Sequence, residues 1–449
     1  MFNKKTIKDV LSLALPAVGE MILYMMIWVF DTMMVGKYGG NVAVSTVGLS
    51  SEIMYTFTNI FIAVGVSVGI TSLVARNIGA KNIDGADEYA ALGFIAGAFI
   101  ALIISITAFI FCKDILRLAK APSEVIHYGT IFMRITSFGI FFNMLMNLLN
   151  AALRGHGNTK TPLLVSVLVN IINLGLDWLL IFGNLGFPEL GIKGSAIATA
   201  TAQTSGFIFI LFYILNHEKY KIKFKYIVNL KLDKLWELMK LSIPSSLQEG
   251  AFSISRLLST LMIMQIGTIA FSANQITTTI ESISFMPGWG FAVAATALVG
   301  HKIGEKNYKK AKEYAYTCAL LGTIIMCICG IFFILTPKFL IGSFIKESEV
   351  EAIRLGALCL MVASVEQPFM AISMILGGAL KGAGDTKTPF IVSLFSSWVI
   401  RLPLMFYFVY ILKTSVVNVW WITTIQWFID GTLIFILFKK RFRKINTLT

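Results

Sequence analysis

The feature that most constrains this chain is a succession of apolar runs, each long enough to cross a bilayer. A helix needs about 20 apolar residues to traverse the hydrocarbon core, and lipid offers no hydrogen bonds to a bare backbone, so such runs fold as helices. Twelve are present: residues 10–35, 47–74, 90–112, 126–151, 162–182, 191–215, 243–266, 268–298, 315–336, 355–380, 389–411 and 416–438. None shows the period-two alternation of a membrane β-barrel strand. The expected fold is all-α, a polytopic membrane protein of twelve transmembrane helices. Composition closes the soluble alternative. Hydrophobic residues make up 56% and charged residues 14% of the 449 residues, with a mean hydropathy of +0.77, whereas soluble domains carry about 25% charged residues. The same apolar content excludes disorder. Lys4, Lys5 and Lys8 ahead of the first run resemble the start of a signal peptide. The run continues past Pro16 and Glu20 without a small-residue cleavage site, so it is expected to stay as the first span.

The net charge of +14 would suggest nucleic acid in a soluble protein. Here its distribution has a membrane explanation. With a cytoplasmic N-terminus, the inner segments hold 26 Lys and Arg and the outer side 9, counting Lys193 at the outer end of the run 191–215, while Arg134, Arg256 and Arg401 fall deeper within spans. Basic residues concentrate on the cytoplasmic side of membrane proteins. Both termini are therefore expected in the cytoplasm of a multi-pass protein of the cell membrane, with no nucleic-acid partner. The basic stretch 217–240 is expected to be a linker on the anionic leaflet surface.

An internal repeat divides the chain. Leu153-Arg-Gly-His-Gly-Asn-Thr-Lys-Thr-Pro162 matches Leu380-Lys-Gly-Ala-Gly-Asp-Thr-Lys-Thr-Pro389 at seven of ten positions. Ile78-Gly79, Lys81-Asn82 and Glu88-Tyr-Ala90 match Ile303-Gly304, Lys306-Asn307 and Glu313-Tyr-Ala315, and Leu15-Pro16 matches Ile243-Pro244. Each half holds an even number of spans, so the repeat is parallel: two six-helix bundles, 1–216 and 241–449, joined by the linker 217–240. The matched Gly-rich loops are expected to be turns, because glycine ends one helix and proline suits the first turn of the next. They lack the spacing of a phosphate-binding loop.

An enzyme is not expected. His127, His156, His217 and His301 are scattered, with no metalloprotease or nucleophile-elbow pattern. The five cysteines lie in or beside apolar runs and are expected to behave as small hydrophobes. No cofactor is implied.

Ionisable residues inside spans are costly and mark function by default. Eight acids fall inside spans or at their ends: Glu20, Asp31, Glu52, Asp177, Glu249, Glu281, Glu366 and Asp430. Arg134, Arg256 and Arg401 could neutralise some of them. Asn170, Asn173 and Asp177 share one helical face. That face must meet other helices or a wet pocket. Its oxygens would suit Na⁺ or a proton; the plainer reading is an interhelical hydrogen-bond network. For Glu281 an ion pair with Arg256 or a similar group stands beside a functional reading. Asp430 and Glu52 are expected to be structural or interfacial. Pro16 interrupts the hydrogen-bond ladder of the first span and makes it a candidate hinge.

The sequence resembles the multidrug and toxic compound extrusion (MATE) transporters over essentially its whole length. The resemblance rests on Leu15-Pro16, Asp31-Thr-Met-Met-Val-Gly36, Gly194-Ser-Ala-Ile-Ala-Thr199 with Gln203, Pro244-Ser-Ser-Leu-Gln248, Ala273-Asn274-Gln275, Glu281-Ser-Ile-Ser-Phe-Met-Pro287 running into Thr296-Ala-Leu-Val-Gly300, and Gly377-Gly-Ala-Leu-Lys-Gly-Ala-Gly-Asp-Thr386. It implies two rocking lobes that export amphipathic, mostly cationic compounds in exchange for inward H⁺ or Na⁺. It also implies a cation-coupling site at Asp31, Asn173, Asp177 and Thr199, of which Asp31, Asn173 and Asp177 would be the metal ligands if the ion is Na⁺. The second half has Ser259 and Leu404 where the first has Asp31 and Asp177, so one coupling site is expected, in the N-terminal half. Glu249, Glu281 and Glu366 are candidate substrate- or cation-facing acids of the C-terminal half. The expected partners are small organic cations and the bilayer, and the protein is expected to be a monomer. A flippase of a lipid-linked saccharide, or an exporter of an endogenous metabolite with the same fold, is the alternative.

Overall fold

A computed structural model describes residues 3–119, 121–217, 226, 231–345 and 349–446. Among these residues there is no strand, and helices carry nearly the whole chain. The twelve long helices are α1 (Lys4–Gly40), α2 (Val42–Gly79), α3 (Ile83–Leu118), α4 (Ser123–Gly155), α5 (Lys160–Phe182), α6 (Ile192–Asn216), α7 (Leu232–Met264), α8 (Thr268–Gly304), α9 (Tyr308–Leu335), α10 (Val350–Gly382), α11 (Lys387–Ile411) and α12 (Val416–Asn446). The six-residue helix Pro337–Gly342 precedes α10. Eleven of the described helices are long and apolar enough to cross a membrane. The exception is α7, where serines, Gln248, Glu249 and Arg256 dilute the apolar run. Its place in the repeat, opposite α1, makes it the twelfth.

The repeat expected from sequence recurs in the backbone. Lys81 and Lys306 both take positive φ, at 59° and 57°. The next residue in each half caps a helix: Asn82 accepts from the Gly85 amide and Asn307 from the Lys310 amide, both at 3.0 Å. In the matched Gly-rich loops Gly157 and Gly384 sit at φ 82° and 85°, which favours glycine. Asn158 and Asp385 then accept from the Thr161 and Thr388 amides, at 3.1 and 3.0 Å. These loops are capped turns. Gly40, at φ 61° and ψ −148°, breaks the chain between α1 and α2.

The helices bury small residues and turn large ones outward. On α3, Gly97, Ala101, Ser105 and Ala108 are buried, whereas Phe99, Ile103, Ile106 and Ile110 are exposed. This inversion suits a lipid-facing surface, where close packing of small residues holds helices together.

The chain forms two compact units, one of residues 19–246 and one of residues 1–18 with 247–449. These divisions fall within helices, two residues after Pro16 and after Pro244, and not at the ends of the 217–240 stretch. Residues 218–225 and 227–230 of that stretch lie outside the described residues, and Leu232 onward is already helix α7. The start of α7 packs Leu238 and Leu241 into the core of unit 19–246. There Lys231 and Lys234 hold Glu88, and the Tyr89 hydroxyl donates to Glu237. The start of α1 makes the equivalent set in the other unit, where Thr6 and Lys310 hold Glu313 and Tyr314 donates to Asp9 at 2.6 Å. Val10 and Ala14 pack beneath it.

Candidate functional site

Unit 19–246 assembles the predicted N-terminal set. Asp31 of α1, Asn173 and Asp177 of α5 and Thr199 of α6 are all buried, with Asn173 and Asp177 fully so. The two α5 residues are one turn apart and share a face. The Thr199 hydroxyl donates to Asp31 Oδ2 at 3.1 Å. The side chains of Asn173 and Asp177 adjoin the Asp31 carboxyl. Among the described residues, five polar atoms here have no hydrogen-bond partner: Asp31 Oδ1, both amide atoms of Asn173 and both carboxyl oxygens of Asp177. Buried polar groups are normally satisfied, and two adjacent carboxylates repel when both are ionised. A proton or a monovalent cation between them relieves both penalties. The donor set of carboxylate and amide oxygens fits either one.

Asn170 does not join this set. Its amide donates to the backbone oxygens of Leu23 at 3.1 Å and Ser166 at 2.8 Å, tying α5 to α1. The hydrogen-bond reading therefore holds for Asn170, one turn before Asn173.

Around the set lie groups that sequence reasoning passed over. The Tyr55 hydroxyl of α2 lies beside the Gln203 amide and within electrostatic reach of Asp31. Gln203 accepts from Asn143 of α4 at 2.6 Å. Glu20 is neutralised by Arg154 at 2.8 Å, with both side chains buried. Arg154 belongs to a motif read from sequence as a turn. Its position in the last turn of α4 directs it back into the bundle.

The C-terminal acids divide. Glu281 of α8 and Glu366 of α10 are neighbours, and Arg401 of α11 faces both. Thr424 of α12 donates to Glu366 Oε2 at 3.3 Å. The positive neighbour of Glu281 is thus Arg401 in place of Arg256. Glu249 stands apart. It accepts from Ser253 at 3.5 Å, and its nearest cations are Lys381 and Arg256. Asp430 is satisfied by Ser373 at 2.5 Å and Ser396 at 2.6 Å, as a helix-joining group would be. Arg134 lies over the Phe109 ring at 5.9 Å. Ser259 occupies the Asp31-equivalent position and donates to Ser255 O at 2.8 Å. The C-terminal acid pair therefore arises at positions unrelated by the repeat.

A duplicated six-helix arrangement with buried, unpartnered carboxylates defines an integral membrane protein of the transporter class. The family model described as MatE matches residues 16–179 and again 244–407, and the chain belongs to this family. It is 30% identical over 415 residues to the probable multidrug resistance protein NorM of Thermotoga maritima, covering 92% of this chain and 88% of that protein. Its fold superposes on an outward-facing multidrug resistance MATE family transporter of the MOP superfamily with a TM-score of 0.91, at 22% identity and 99% coverage of each chain. It superposes on the Vibrio cholerae MATE transporter VcmN in the bent form with a TM-score of 0.88, at 18% identity and coverage of 99% and 98%.

Proposed function

We propose that the protein is a secondary active antiporter that exports amphipathic, mostly cationic compounds in exchange for inward H⁺ or Na⁺. The observation that carries this is the buried Asp31–Asp177 pair with five unpartnered polar atoms around it, in a chain whose relatives include a probable multidrug resistance protein. Ion transporters keep such groups at membrane depth, where only a mobile cation repays their burial.

In this scheme Asp31, Asn173 and Asp177 hold the cation, and Thr199 fixes the Asp31 carboxyl by its hydrogen bond. Binding the cation removes the repulsion between α1 and α5; losing it restores a net negative site that attracts a cationic drug. Pro16 lets α1 take a straight or a bent course. Cation and drug then compete through one bistable helix, and the effect on affinity is reciprocal. The alternating access comes from rocking of the two halves.

The test is drug efflux from proteoliposomes under an imposed Na⁺ gradient or an imposed pH gradient, applied separately. Either gradient driving efflux supports antiport and identifies the ion. Efflux driven by neither would overturn the proposal.

A further inference from the structure

We infer that unit 19–246 contains a transit route for the coupling cation, running from the Asp31–Asp177 pair along the polar faces of α1 and α4 to the Glu20–Arg154 pair. The inference rests on the coupling role proposed for Asp31 and Asp177.

Two helix faces make the route. Asn143, Asn147, Asn150 and Arg154 follow one another at the i, i+4, i+7 and i+11 positions of α4, a single stripe. Between them Met144, Leu145, Met146, Leu148 and Leu149 are apolar and buried. On α1, Glu20, Tyr24 and Asp31 share a face at i, i+4 and i+11. The two stripes meet at both ends. At one end, Asp31 lies within electrostatic reach of Tyr55, whose hydroxyl adjoins Gln203, and Gln203 accepts from Asn143. At the other, Glu20 Oε1 accepts from Arg154 Nη1 at 2.8 Å. Tyr55 fills the two-turn gap on α1, its ring 5.6 Å from that of Tyr24. Asn147 reaches back to the Asn143 backbone and side-chain oxygens at 3.0 and 3.1 Å. Eleven residues of helix rise about 16 Å, roughly half of a hydrocarbon core of about 30 Å.

A polar stripe can simply bind helices together. In that case its buried atoms would be paired, since lipid-depth polar groups find partners. Here they are not. Glu20 Oε2, the Tyr24 hydroxyl, Asn150 Oδ1 and Asp31 Oδ1 are buried and without a hydrogen-bond partner among the described residues, spaced along the row. All four are oxygens, which accept a hydrogen bond or ligate a cation. Such a row lets a proton or a partly dehydrated Na⁺ step between oxygens. The Arg154 guanidinium closes the far end: a cation reaching Glu20 meets a fixed positive charge and is released outward from α1, on the cytoplasmic side if both termini are cytoplasmic.

The test uses Asn147→Leu and Asn150→Leu, which keep the branching of the side chain and remove the polar step, with Asn147→Ser as the conservative variant. Purified full-length proteins are compared in two measurements: gradient-driven drug efflux in proteoliposomes, and equilibrium drug binding with its dependence on the coupling cation. The route predicts efflux slowed on the order of tenfold or more in the leucine variants. Drug binding and its cation dependence stay within about twofold of wild type, because the Asp31 site is untouched, and Asn147→Ser recovers most of the rate. Wild-type efflux in both leucine variants would overturn the route. So would loss of drug binding in both, which would place the stripe in the ligand site or the folding core. Asp177→Asn, run in parallel, separates the two claims. If it too exports at the wild-type rate, the coupling assignment fails; if it alone is inactive, only the route fails.

Discussion

Thr199 donates its hydroxyl hydrogen to Asp31 across 3.1 Å, joining α6 to α1 beside the carboxyl of Asp177. This bond leaves Asp31 Oδ1 free to face a cation. In the proposed coupling scheme Thr199 orients the Asp31 carboxyl and is not itself the seat of charge. Thr199→Val is predicted to weaken cation dependence of transport while leaving some coupled export, because the carboxylate pair survives. The measurement is initial efflux rate against cation concentration: the half-saturating concentration rises several-fold, and the maximal rate changes little.

Asp31→Asn and Asp177→Asn each remove one charge of the pair and keep shape. Both variants are predicted to fold, since a neutral amide is cheaper to bury than a carboxylate. Both are predicted to lose gradient-driven export. Size-exclusion profiles in detergent and proteoliposome efflux check the two halves of this statement.

Glu20 and Arg154 form a buried ion pair. Breaking such a pair from one side typically costs about 3–5 kcal/mol, because it strands a charge, whereas replacing both partners with apolar groups is often tolerated. Arg154→Met is thus predicted to lower thermal stability strongly, and Glu20→Leu combined with Arg154→Met to recover most of it. Thermal unfolding of the purified variants decides this.

A Cβ on Gly139 would lie 2.5 Å from the Ala200 Cα, where α4 crosses α6. Gly139→Ala must push backbone apart and is predicted to destabilise by about 1–3 kcal/mol. A Cβ on Gly175 would meet nothing within 4 Å, so Gly175→Ala is the tolerated control in the same unfolding assay.

The basic residues concentrate on the segments that are inner when both termini are cytoplasmic. A cysteine added after Thr449 is predicted to resist a membrane-impermeant thiol reagent in intact cells and to react after permeabilisation. Labelling in intact cells would reverse the orientation.

Some of this architecture was legible in the sequence and some was not, for physical reasons. Apolar run length fixes helices, and the Gly-x-Gly-Asn/Asp-Thr-Lys-Thr-Pro loops fix the repeat, because both are local patterns. The adjacency of Asn173 and Asp177 follows from helical period alone. Their approach to Asp31 and Thr199 does not: it depends on the rotation of α1 and α6 about their axes, and only the family resemblance supplied it. For the same reason the sequence left the positive neighbour of Glu281 open, as Arg256 or a similar group, where the fold brings Arg401. Arg154 was missed because its loop motif hid that it belongs to the last helical turn. The asparagines of α4 showed their period openly, but no carboxylate shares their stripe as Asp177 shares that of Asn170 and Asn173, so nothing marked them out. The division of α1 after Val18 and of α7 after Ser246 left no local trace beyond the nearby prolines.

In the proposed mechanism one carboxylate pair serves the cation and controls the drug. Titration calorimetry of a cationic drug into the purified protein tests it most directly, across acidic to mildly alkaline pH and across Na⁺ from none to saturating. Drug affinity is predicted to fall as H⁺ or Na⁺ rises, Pro16→Ala to blunt the dependence, and Asp177→Asn to abolish it. Drug affinity unchanged over both series in the wild-type protein would contradict it.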